Sequence, residues 1–107
     1  MEIIFHAHHA VISPRMQARA DRAVRNAAKR FGRVHDAVVR FEGDGRLRRV
    51  EVQLHAPGSR HLVAEGHARY YGPALAQAVS KLRAQASSLK RTRKERGRPL
   101  ARRVATA

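Results

Sequence analysis

Apolar and polar residues alternate one by one in "RVEVQLHA", residues 49–56: Val50, Val52, Leu54 and Ala56 fall on one side, Arg49, Glu51, Gln53 and His55 on the other. A two-residue period of this kind marks a strand with one buried and one open face. "EIIFHAH" at residues 2–8 alternates similarly, with Ile3, Phe5 and Ala7 opposite Ile4, His6 and His8. "DAVVRFE" at 36–42 predicts another strand, and "GDG" at 43–45 predicts the turn that joins it to the next. After the turn signal "APGS", "RHLVAEGHA" at 60–68 predicts a fourth, weaker strand.

Between the first two strands the period changes. Met16, Ala20, Ala23, Val24, Ala27 and Phe31 recur at helical spacing, with Ser13 as N-cap, Pro14 at the first helical position and Gly32 as the stop. A second helix, entered through Gly72 and Pro73, carries Leu75, Ala78, Val79, Leu82, Ala86 and Leu89 on its apolar stripe. The order is β-α-β-β-β-α, an α+β fold. A helical crossover lets the first two strands pair parallel and hairpins make the later pairs antiparallel, so the expectation is a four-stranded mixed sheet with both helices packed on one face. The stretch "GRPLARRVATA" has no apolar period, which places a domain at 1–96 and a flexible basic tail at 97–107.

Composition narrows the function. The 107 residues suit one domain, and 43% hydrophobic with 5% aromatic residues predicts an aliphatic core. No run approaches the roughly 20 apolar residues of a membrane span, and the N-terminus lacks the pattern of a signal peptide, so a cytoplasmic protein without membrane contact is expected. The absence of cysteine excludes disulfides and thiolate chemistry. Lys and Arg number 23 against 8 acidic residues, a formal charge of +15. A chain this basic needs a polyanion, and nucleic acid is the abundant one.

The cations are ordered on the helices. At about 100° per residue, Arg15, Arg19, Arg22, Arg25, Lys29 and Arg33 form one side of the first helix, opposite the apolar stripe, and its one acid, Asp21, is expected away from that row. Lys81, Arg83, Lys90, Arg91, Arg93, Lys94, Arg96 and Arg98 crowd the length and end of the second helix. Its apolar stripe, extended past Leu89, reaches Arg93 and Arg96, so the helix is expected to run beyond the sheet with its last two turns exposed.

Taken in order, "HHAVISP", "KRFGRV", "VEVQLH", "AEGHARYYGPALAQAVSKL" and "LKRTRKER" resemble the ribosome hibernation promoting factors, or ribosome-associated translation inhibitors, in their short single-domain form; the likeness covers residues 1 to about 96. The resemblance implies a domain related to double-stranded-RNA-binding domains. It also implies a non-enzymatic factor that contacts rRNA in the small ribosomal subunit, occupies the mRNA and tRNA channel and inhibits translation under stress or in stationary phase. The basic positions of the family fall here on Lys29 and Arg30, and on Lys81 and Lys90. Ala23 and Asn26 stand where some members have Lys or Arg, with Arg22 and Arg25 restoring the charge one position away. Candidate rRNA contacts are thus Arg19, Arg22, Arg25, Lys29, Arg30, Lys81, Arg83, Lys90, Arg91, Arg93 and Lys94. Two departures stand out: "GHARYYGP" replaces an acidic cluster that many members have before the helix-two tyrosine, and the C-terminal domain of long members is replaced by a short basic tail.

His6 and His8 share one side of a strand with Cα atoms about 6.6 Å apart, but neither Cys nor a nearby Asp completes a set and Glu2 is the only close carboxylate, so no metal site is expected. The resemblance places a histidine pair at His8 and His9, before the helix cap, with a role in that turn or in RNA contact. No cofactor or small-molecule substrate is implied, and the free protein is expected to be monomeric. Two other functions fit the composition: a general structured-RNA binder or chaperone, and a small nuclease, for which His6, His8, Glu42, Asp44 and Glu51 show neither an organised pocket nor metal-ligand spacing.

Overall fold

The structure, a computed structural model, describes the backbone of residues 1–58 and 60–97 and the side chains of 1–58 and 61–88. Its elements are β1 (Glu2–His8), α1 (Pro14–Phe31), β2 (Asp36–Asp44), β3 (Leu47–Ala56), β4 (Arg60–Ala68) and α2 (Tyr71–Gly97). The strands lie in the order β1-β2-β3-β4, with β1 parallel to β2 and the other two pairs antiparallel. A helical crossover and two hairpins dictate that arrangement.

The core sits between the sheet and the two helices. Ala37, Val39 and Phe41 of β2, Val50, Val52 and Leu54 of β3, and Leu62 and Ala64 of β4 pack against Ala20, Val24 and Ala27 of α1 and Leu75, Ala78 and Leu82 of α2. Small side chains dominate the helix side, so the helices approach closely. At Gly66 of β4 an added Cβ would run into the Ala74 carbonyl of α2. That backbone contact needs glycine.

α1 begins as the sequence predicts: the Ser13 hydroxyl accepts the Met16 amide at 3.1 Å, with Pro14 at the helix start. The stop is also as expected, at Gly32, whose φ of 101° is open to glycine. The buried stripe shifts by part of a turn, since Ala28 is buried while Met16, Ala23 and Phe31 are only partly so.

The β2–β3 turn differs from expectation. Gly43 and Asp44 continue β2, Asp44 pairs with Leu47, and the two-residue loop is Gly45-Arg46 with Gly45 at φ 58°. A primed turn with glycine first matches the twist of the strands it joins, and this wins over the "GDG" signal. Gly43 has another reason for being glycine: a Cβ there would collide with the His9 carbonyl. His9 itself, at φ 50°, is the one non-glycine residue with positive φ among those described, and it redirects the chain from β1 toward α1.

Candidate nucleic-acid interface

Elementary sheet geometry sends alternate side chains to opposite faces, so each strand divides its residues between the helices and the open side. On α1 the division leaves Arg15, Arg19, Arg22, Arg25, Lys29 and Arg30 exposed on the outside of the two-layer body. Lys81 and Arg83 are exposed on α2. The Arg19 guanidinium lies over Gly72 at the start of α2, and Arg19 and Arg83 flank a groove between the helices floored by Ala23, Leu75, Ala76 and Val79. Lys90, Arg91, Arg93 and Lys94, with the expected exposure of the last two turns, lie outside the described side chains; the backbone there is helical to Gly97.

Two of the cations are less free than the sequence suggests. Asp21 does not lie away from the cationic row: its Oδ1 accepts the Arg25 Nε at 2.7 Å, one turn along the helix, and Arg25 Nη1 also reaches the Met1 carbonyl at 2.9 Å. Four-residue spacing puts the two side chains on neighbouring positions of the helix surface, within reach of an ion pair. Lys81 donates to the Glu65 carbonyl at 2.8 Å. It belongs to a ladder in which Gln77 accepts the His67 amide at 3.1 Å and Gln85 donates to the Val63 carbonyl at 2.9 Å. Residues 77, 81 and 85, each one turn apart, thus bind the outer backbone edge of β4.

The acids are on the other side. Six of the eight in the sequence, Glu2, Asp36, Glu42, Asp44, Glu51 and Glu65, project by strand register from the open face of the sheet. Arg49 stands among them: its Nη1 meets Glu42 at 3.0 Å, its Nη2 meets Glu51 at 3.1 Å and its Nε meets Glu65 at 2.9 Å. Hydrogen bonding to Arg49 holds the Glu65 carboxyl below the usual carboxylate range, and the bond to Glu65 in turn raises the guanidinium. Sequence reasoning did not find this network, although Arg49 and Glu51 alternate openly in "RVEVQLHA"; cross-strand register is needed to bring Glu42 and Glu65 to them.

The histidines separate into different settings. His8 and His9 are exposed with their rings edge-to-face at 4.3 Å. His6 and His8 line a shallow open depression with Arg40 and Glu42, where the sequence offered no pocket. His55, read from the sequence only as an open-face strand residue, bonds Asp36 through Nδ1 at 2.5 Å and packs edge-to-face on His61. Among the described residues no three carboxylate or imidazole side chains converge as a metal would require. Near the start of α2, burial raises the Tyr71 hydroxyl and the Arg48 charge opposes that shift; the ring stands edge-on to Phe41, and its hydroxyl has no hydrogen-bond partner among the described residues.

Chemically the molecule is therefore divided: an exposed guanidinium and ammonium surface on the helices, suited to phosphates, and a carboxylate-bearing sheet face that repels them. No helix among the described residues is long and apolar enough to cross a membrane.

The family model described as sigma 54 modulation protein / S30EA ribosomal protein matches residues 3–94. A ribosomal subunit interface protein from Coxiella burnetii superposes with a TM-score of 0.75 at 16% identity, covering 84% of this chain and 98% of its own. The N-terminal domain of Protein Y from Thermus thermophilus superposes with a TM-score of 0.71 at 20% identity, covering 83% and 99%. At these identities the two likenesses are of fold. No curated protein matches the chain in sequence.

Proposed function

Since the chain belongs to the sigma 54 modulation protein / S30EA ribosomal protein family, we propose that it is a non-enzymatic, cytoplasmic ribosome-associated factor. It binds rRNA of the small subunit through its helical face and inhibits translation by occupying the mRNA and tRNA channel. The observation that carries this reading is the segregation of charge: the exposed cations of α1 and α2 are gathered on one side, while six carboxylates occupy the other. A surface that only had to remain hydrated would interleave the two signs.

Arg19, Arg22, Lys29, Arg30 and Arg83 are the described residues best placed to meet phosphate, being exposed and without an acidic partner within salt-bridge distance among the described residues. Arg25 and Lys81 would have to exchange existing bonds for RNA ones, and so contribute less. Lys90, Arg91, Arg93 and Lys94, later in the α2 sequence, are taken as further contacts, with His8 and His9 as additional ones. The domain is taken to end at residue 96, the free protein to be monomeric, and residues 97–107 to add charge without core.

The test is co-sedimentation with ribosomes separated into subunits and intact particles, across a salt series. Binding to the small subunit should weaken steeply with salt, and Arg19→Gln/Arg22→Gln/Lys29→Gln should reduce the salt slope by about one unit per lost contact while translation inhibition falls in parallel. Equal affinity for an unrelated RNA duplex would replace the ribosomal reading with general RNA binding. Salt-independent binding would remove the phosphate-contact mechanism.

A further inference from the structure

We propose that the open face of the sheet is a second docking surface, fitted to an extended lysine- and arginine-rich polypeptide segment. Two separate features point there. The first is charge: Glu2, Asp36, Glu42, Asp44, Glu51 and Glu65 share this face with the strand cations Arg40 and Arg49. Carboxylates outnumber guanidiniums three to one in a protein whose sequence has the opposite balance.

The second is an aliphatic band. Strand register aligns Ile4, Val38, Gln53 and Val63 in one row across all four strands. Ile4 is 42% and Val63 48% exposed, although both are side chains that usually seek burial. The next row on one side carries Glu51 and Glu65, and the next on the other carries Glu2 and Asp36, each about 6.6 Å away along the strands. The band spans three inter-strand steps, about 14 Å, which is the length of about four extended residues.

Lysine and arginine are the side chains that match both features at once, because their aliphatic stems can lie along the band while their charged heads reach Glu2 directly and share Asp36, Glu51 and Glu65 with His55 and Arg49. Nucleic acid does not fit: its phosphates would face the carboxylates. A second copy of this chain is less suited than an extended segment, since its cations are fixed on rigid helices and it brings a like charge of +15. The helices lie about 10 Å behind the sheet, comparable to the Debye length of about 8 Å at 0.15 M salt, so the local face governs what approaches it.

The experiment titrates an end-blocked deca-arginine peptide into the isotope-labelled full chain at 0.15 M salt and follows backbone amide shifts. Shifts are expected in the strands around Ile4, Val38 and Val63 and not along α1. Glu2→Gln/Asp36→Asn should weaken the peptide by about three- to thirtyfold, from two exposed ion pairs. Val63→Lys, at an exposed position that keeps the fold even if the loss of the Asp36–His55 bond disturbs the double variant, should weaken it at least as much. Absence of binding up to about 1 mM, shifts confined to residues off the sheet, or unchanged affinity in Val63→Lys would each overturn the proposal. Self-association of the peptide-free chain that Val63→Lys abolishes would assign the face to a second copy and overturn it too. Ribosome binding, measured in parallel, should persist in both variants; its behaviour tests the helical face alone, so the two readings fail separately.

Discussion

Replacing Gly66 with alanine tests how α2 is seated. Gly66 is not in the left-handed region, so alanine suits its backbone, and restricting the unfolded chain would by itself stabilise the protein by about 0.4–1 kcal/mol. Packing acts the other way. The new Cβ would sit 2.7 Å from the Gln77 Cβ and 3.0 Å from the Ala74 carbonyl carbon, and closer still to that carbonyl oxygen. Carbon atoms prefer about 3.5–4.0 Å, so the helix must retreat by roughly 1 Å. The obstacle is helix backbone, which cannot swing aside, and the retreat also stretches the bonds from Gln77, Lys81 and Gln85 to β4. Overpacking of this kind costs about 1–3 kcal/mol, and the rigid partner puts Gly66→Ala toward the upper end. The net expectation is a loss of about 2 kcal/mol, read as a midpoint shift in urea at constant slope and a melting temperature lower by about 10 °C. Gly45→Ala is the control: its φ of 58° is strained for alanine, but nothing lies within 4 Å, so its cost is conformational only, about 1 kcal/mol. A Gly66→Ala protein as stable as the parent would refute direct seating of α2 on the β4 backbone.

Two further outcomes follow from the packing and the charge network. Leu82→Ala, at a side chain only 1% exposed, should cost about 2–5 kcal/mol in denaturant unfolding while leaving the ribosome affinity of the folded protein unchanged. Glu65→Gln should cost about 1 kcal/mol or less at pH 7, because the Arg49 pair is partly exposed. Arg49 depresses the Glu65 carboxyl in the folded state, so its stabilisation is complete above the ordinary carboxylate value of about 4.3 and disappears as pH falls through the lower folded value. Unfolding curves of parent and variant should therefore converge once pH is below that folded value; a gap that persists in acid would show that the contact acts through packing.

Much of the fold was legible because it rests on local patterns. The strict alternation of Val50, Val52 and Leu54, the Ser13-Pro14 start of α1 and the helical crossover each determine an element or a pairing without help from distant residues. Errors arose where a partner far along the chain decides. "GDG" reads as a turn in isolation, but Gly43 stays in β2 and is glycine on account of the His9 carbonyl. Lys81 reads as a free cation, yet it binds β4. Arg19, Arg22, Arg25 and Lys29 of the candidate interface could be named from helical spacing and Arg30 from the family resemblance, whereas the carboxylate face opposite them needed the register of all four strands, which no single stretch of sequence contains.

The bonds from Gln77, Lys81 and Gln85 to β4 also bear on how the protein misassembles. An uncovered edge strand offers its free amides and carbonyls to any other chain and is a starting point for aggregation. Here the β4 edge is occupied by side chains of α2, so the sheet is sealed at that border for as long as the helix stays in place. Protection of the border and attachment of the helix are one event. The species from which strand-to-strand polymers can grow at β4 is then a partly opened one, with α2 lifted and the rest of the sheet intact, whose population follows the free energy of local opening rather than that of complete unfolding. Anything that binds α2 in its seated form lowers that population by mass action. If ribosome binding uses α2 as proposed, the bound pool would thus be kept from aggregating by the same helix.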